Sequence, residues 1–131
     1  MPSTPERYAT LAPFLSVRDG AKAVDFYKAA LGATELFRID EGGVVARLAV
    51  GDSEFWVSDE SPEHGNFSPQ TLNGSTSRMV VVVDDPDAVF ARAIAAGGKV
   101  VSPVEDQRYK WRVGRFADPF GHHWEIGKPL A

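Results

Sequence analysis

At 131 residues the chain is about one domain long, and its 44% hydrophobic content is ample for a conventional core, which excludes extensive disorder. A formal net charge of −4 and a pI near 5.3 argue against nucleic acid as a partner, because phosphate contacts need a concentrated basic face. The absence of cysteine removes disulfides, thiol nucleophiles and thiolate metal sites, so any chemistry must use oxygen and nitrogen.

The first segment, MPSTPERYATLAP, has no basic stretch followed by an apolar one, and the longest apolar run, MVVVV from Met79, is far too short to span a bilayer. The expectation is a cytoplasmic protein with no membrane partner. From Ala12 the chain reads APFLSVRDGAKAVDFYKAALGA: a strand-length apolar stretch, Asp19 as helix cap, and an Ala-rich helix that stops at Gly32. Within that helix Phe26 and Tyr27 are core candidates. ATELFRID, GVVARLAV and SEFWVS then read as three strands, joined by turns at EGG and GD.

Nineteen polar, Gly- and Pro-containing residues follow, from Asp59 to Ser77. A connection of that length is usually functional or poorly ordered, and we expect a linker that flanks a pocket, with Phe67 as its inward anchor. At Arg78 the first pattern returns as RMVVVVDDPDAVFARAIAAGGK, with Asp85-Pro86 as the helix start. KVVSPVE, WRVGRFA and HHWEIG complete it as three more strands, the last two joined by the turn DPFG.

Two copies of one module explain this order. Val17 and Val83, Asp19 and Asp85, Ala30 and Ala96, Gly32 and Gly98 are each 66 residues apart. The predicted fold is α+β: two tandem βαβββ modules, residues 9–58 and 78–128, joined by a linker over 59–77.

The last strand raises a chemical question. Strand alternation points His123 and Glu125 one way and His122 and Trp124 the other, and a His and a carboxylate two apart make half of a metal site that needs further ligands from elsewhere. On the other face Trp124 and Ile126 read as core, and His122 as a group that packs or hydrogen-bonds near the turn. Arg112 and Arg115, three apart on one strand, face opposite sides.

The opening VRDGAKAVDFYKAALGA and the ending DPFGHHWEI resemble those of small bacterial proteins in the vicinal oxygen chelate superfamily, which includes glyoxalases, bleomycin-resistance proteins and extradiol dioxygenases. The resemblance runs from about Thr10 onward and implies an open cup around a cavity. In metal-using members it also implies one ligand from the first and one from the last strand of each module, and an ion that acts as Lewis acid on two neighbouring substrate oxygens. Carried over, the fourth ligand is Glu125, the third falls on Arg78, the first on Ala12, and the second on Phe55 or Trp56. Only Glu125 can bind a metal there; arginine stays protonated and repels a cation.

No cofactor is therefore expected; a displaced divalent-metal site made of Glu125, His123 and His64 is the alternative. The pocket is expected to be lined by Ala12, Trp56, Phe67, Arg78, Trp111, His123 and Glu125, with Trp56 either stacking on a ligand or filling its volume. There is no phosphate-binding glycine loop and no GxSxG elbow. Three functions remain: a metal-free protein that binds a small organic molecule, a metal-dependent lyase, isomerase or dioxygenase, and a metal-free enzyme with Glu125 or His123 as acid or base. Loss of ligands favours the first, and the resemblance implies a homodimer. Arg78 and Glu125 are expected to form an ion pair where relatives hold their metal.

Overall fold

The computed structural model describes residues 9–131. Two four-stranded sheets carry the chain, built in the same order. The first holds β1 (Phe14–Val17), β2 (Thr34–Asp40), β3 (Val44–Val50) and β4 (Ser53–Asp59), arranged β1-β4-β3-β2. The second holds β5 (Arg78–Val82), β6 (Lys99–Asp106), β7 (Trp111–Ala117) and β8 (His123–Pro129), arranged β5-β8-β7-β6. In both, the first strand pairs in parallel with the fourth and the remaining pairs are antiparallel. This is the tandem βαβββ architecture, an α+β fold.

Local chemistry places the helices where they were expected. The Asp19 carboxylate accepts from Lys22 N–H at the start of α1 (Gly20–Leu31), and Gly32 ends it in the left-handed region, at φ 67°, where a side chain would be strained. Asp85 caps α3 (Pro86–Ala95) in the same way through Ala88 N–H. No described helix is long and apolar enough to cross a membrane.

The linker carries more structure than its composition suggests. A single 3-10 turn, Pro62–His64, and one helical turn, α2 (Pro69–Leu72), are tied down by Glu60, whose carboxylate accepts from Ser68 N–H at 2.8 Å and from the Thr71 hydroxyl at 2.9 Å. Those hydrogen bonds hold the Glu60 carboxyl below its ordinary pKa. Gly121 sits at φ 94°, and a Cβ there would lie 2.8 Å from Pro69 Cβ, so the turn before β8 is pressed against the linker.

One core joins the modules on the helix-facing sides of both sheets. Leu15, Val17, Leu48, Phe55 and Val57 from the first sheet and Phe116, Trp124 and Ile126 from the second pack with Phe26, Tyr27 and Phe90 of the helices. Tyr27 of α1 touches Phe55 and Trp124, with ring centroids 5.4 and 5.3 Å away. Its hydroxyl donates to Asp118 Oδ2 at 2.5 Å. Asp118 is buried and fully engaged: Trp124 Nε1 donates at 2.9 Å, Phe120 N–H at 2.9 Å and His122 N–H at 3.0 Å. Burial, followed by the charge of Asp118 and its hydrogen bond, pushes the Tyr27 hydroxyl well above its ordinary pKa. Arg92 of α3 adds a second tie by donating to Ala29 O at 2.7 Å, at the C-terminal end of α1, which favours a cation.

Candidate functional site

With the helices on one side, the other face of each sheet is open. Strand alternation decides what lies there. On β4, Phe55 and Val57 are buried beneath α1, so Glu54, Trp56 and Ser58 face the open side; on β8, Trp124 and Ile126 are buried, so His123 and Glu125 face it.

Register resolves which residue stands at the second ligand position. Val80 pairs with Glu125 across β5 and β8, and Phe14, 66 residues before Val80, pairs with Trp56 across β1 and β4. Trp56 therefore corresponds to Glu125, while Phe55 belongs to the core. Ala12 lies just ahead of β1 and is partly buried.

Arg78 and Glu125 are in contact, and the residues next to Ala12 and Trp56 lie where the modules meet. Phe55 and Trp124, the residues preceding Trp56 and Glu125, are in ring contact at 5.6 Å. Pro13, the residue after Ala12, lines a cleft of about 570 Å³ together with Arg78, Val80 and Val82 of β5 and Glu54 and Phe55 of β4.

Each open face carries one row of side chains across all four strands. In the first sheet Phe14, Trp56, Arg47 and Phe37 are successive register partners. Phe14 stacks on Trp56 at 5.8 Å with the planes 10° apart, Phe37 meets the indole at 6.1 Å, and the Arg47 guanidinium lies 5.7 Å from the ring centroid. Such a cation–π contact contributes about 0.5–1 kcal/mol where water has access. Trp56 thus fills a place between neighbours, and the half-exposed Phe14 offers the freer aromatic surface.

The corresponding row of the second sheet is Val80, Glu125, Arg115 and Ser102. Arg78 sits opposite His123 but reaches diagonally to Glu125, and the two form the expected ion pair. Their side chains are 54% and 21% exposed, so the pair is partly solvated. Arg115 makes the opposite diagonal: its Nε–H donates to His123 Nδ1 at 3.1 Å. In that contact Nδ1 is the acceptor and the ring hydrogen sits on Nε2.

Several expected pocket residues stand elsewhere. Phe67 is partly exposed and lines a separate groove of about 350 Å³ with Phe14, Leu72, Met79 and His122, because α2 turns it toward the ends of β1 and β5. Trp111 shares the open face with Arg115 but lies four residues away along β7, about 13 Å at strand rise. His64 bonds to Ser61 Oγ at 2.6 Å within the linker. It does not join Glu125 and His123, and among the described residues no three His, Asp or Glu side chains converge. His122 bridges the modules, its Nε2 lying 2.9 Å from Ser16 O. Arg112 leaves the site for the helix side, where Asp87 of α3 at 2.8 Å and Asp106 at 3.0 Å hold it; Asp87 is lowered in pKa by that hydrogen bond.

Sequence reasoning passed over Phe14, Phe37, Arg47 and Asp118. Arg47 and Arg115 occupy equivalent places in the two rows, a signal present in the repeat once the hairpin registers are fixed.

The residues do not fit the family's divalent ion. Ala12 and Trp56 present no donor oxygen or imidazole, Arg78 brings a cation, and Glu125 is engaged by that cation.

The family model described as "Glyoxalase/Bleomycin resistance protein/Dioxygenase superfamily" matches residues 8–126. An uncharacterized protein of Mycobacterium bovis, Mb0911c, is 39% identical over 126 residues, covering 92% of this chain and 83% of that one. Among solved structures, TioX from Micromonospora sp. ML1 superposes with a TM-score of 0.71 at 28% identity, covering 93% and 99% of the two chains. The Listeria monocytogenes fosfomycin resistance protein FosX, solved as a glutamate-to-glutamine mutant with Mn(II) and a dihydroxypropylphosphonic acid, superposes at 0.72 with 16% identity, covering 94% and 91%, and so shares the fold.

Proposed function

We propose, from the premise that the chain belongs to the glyoxalase/bleomycin resistance protein/dioxygenase superfamily, that it is a member that binds a small organic molecule without the family metal. The observation that carries this reading is the Arg78–Glu125 ion pair at two of the four ligand positions, with Ala12 and Trp56 at the others. A guanidinium there occupies the place and supplies the charge of an ion, and it satisfies the one carboxylate left. The aromatic row Phe14–Trp56–Phe37 and the apolar Val80 and Val82 suit an aromatic or amphipathic ligand.

The protein acts as a homodimer. Val80, Val82 and Phe14 are more than half exposed on the open side, an apolar surface that a second copy covers in part. Metal analysis of protein purified without chelator or affinity tag tests the central claim. We expect less than a tenth of an equivalent of zinc, nickel, iron or manganese (an order-of-magnitude criterion for a metal-free site), together with quenching of tryptophan fluorescence by aromatic ligands. Stoichiometric metal, or chelator-sensitive turnover of a hemithioacetal or catechol, would overturn it. Light scattering at micromolar concentration reads the dimer, and a monomer mass counts against it.

A further inference from the structure

The open face of the second sheet holds two arginines and one carboxylate. Glu125 is matched to Arg78, and among the described residues no carboxylate lies within ion-pair reach of Arg115. His123 Nδ1 accepts from Arg115. Arg78, Glu125 and Arg115 thus carry one more cation than anion, beside the apolar Val80 that pairs with Glu125.

We infer that Arg115 and His123 form an oxyanion subsite, so that the ligand of the cup carries a carboxylate or another singly bonded oxyanion. The inference rests on the binding reading above and names its ligand class. Arg115 spends Nε on His123, which leaves the two terminal nitrogens of its planar fork for the anion. His123, locked in the Nε2–H tautomer, can donate that hydrogen beside the fork. Arg47, the equivalent residue of the first module, is less suited: its charge already faces a carboxylate, Glu54 Oε1 at 3.6 Å from Nε, and its guanidinium lies over Trp56. Repetition supplied an arginine to each face, and of these two only Arg115 lacks a carboxylate within ion-pair reach among the described residues.

The test compares two probes of one shape, 2-naphthoate and the neutral 2-naphthamide, by titration calorimetry and tryptophan quenching with the full chain. We expect naphthoate to bind at least about tenfold more tightly, as a charge-assisted hydrogen bond provides. R115M should bring the two affinities within about threefold, chiefly by weakening naphthoate, and R115K, which keeps the charge without the fork, should fall between. Unchanged near-ultraviolet circular dichroism shows that the variants fold. Equal affinity for both probes in the parent protein, or a preference that survives R115M, would overturn the oxyanion subsite while leaving the binding function intact. Failure of both probes to bind at millimolar concentration would count against both readings.

Discussion

Breaking the Arg78–Glu125 pair should cost little stability, and the size of that cost follows from its exposure. The perturbation is a double-mutant cycle: Arg78→Met, Glu125→Gln and both together. Two unit charges at contact attract by about 4 kcal/mol at an effective dielectric constant near 20 and by about 1 kcal/mol in water. With Arg78 54% exposed the pair lies toward the aqueous limit, and losses of side-chain entropy reduce it further. A coupling energy below about 1 kcal/mol is expected. Arg78→Met alone should cost about 0.5 kcal/mol, because Arg115 stands directly across the strand from Glu125 and can take over as partner. Glu125→Gln should cost about 1 kcal/mol, because it leaves Arg78 and Arg115 flanking an uncharged residue on one face. Urea unfolding followed by tryptophan fluorescence measures all four proteins. A coupling of 3 kcal/mol or more, the range of about 3–5 kcal/mol for breaking desolvated pairs, would refute the reasoning, since it requires that water be kept from the pair.

Other positions respond on different grounds. Tyr27→Phe removes one of four donors to buried Asp118 and should cost about 2 kcal/mol in urea unfolding without altering ligand affinity. In the parent protein, alkaline titration should show Tyr27 ionising well above the ordinary tyrosine range; because its folded pKa is raised, this contribution is intact below about pH 10 and is lost as pH rises above it, and ionisation at the ordinary value would contradict it. Gly121→Ala places a Cβ against Pro69 at φ 94° and should destabilise by about 1–3 kcal/mol, measured by thermal unfolding. Ala12→His with Arg78→His restores two imidazoles beside Glu125 and should create nickel affinity absent from the parent, read by calorimetry; no gain in the double variant would show that the four positions do not converge.

The helices and their limits were legible because capping is local: Asp19 and Asp85 each act within three residues. The Arg78–Glu125 pair was legible through the family resemblance, whose third and fourth ligand positions fall on those two residues. What escaped depends on register. Phe37 stands opposite Arg47 only because the β2–β3 pairing slips between Glu35 and Phe37, and no local signal fixes that bulge. The diagonal choices of Arg78 and Arg115 are likewise rotamer choices, beyond what alternation decides. His122 fell outside β8 because Asp118 takes its N–H to close the turn, and the strand runs on to Pro129 instead of stopping at Gly127. The linker looked loose in composition, yet Glu60 organises it through contacts eight and eleven residues away.

The cross-ties between α1 and the second module bear on how the chain is strung together. Tyr27 donates to Asp118, Arg92 closes the end of α1, and His122 reaches Ser16, so the halves are fastened at points far from the peptide that connects them. Connectivity and cohesion are therefore separable here. A cut in the exposed stretch after Asn73 removes one covalent link and none of these fastenings, and the two fragments should stay assembled as a nicked whole. Each fragment alone would expose the Tyr27–Trp124 side of its core and leave Asp118 or its hydroxyl donor unmatched, so the duplicated unit has ceased to be a unit of folding.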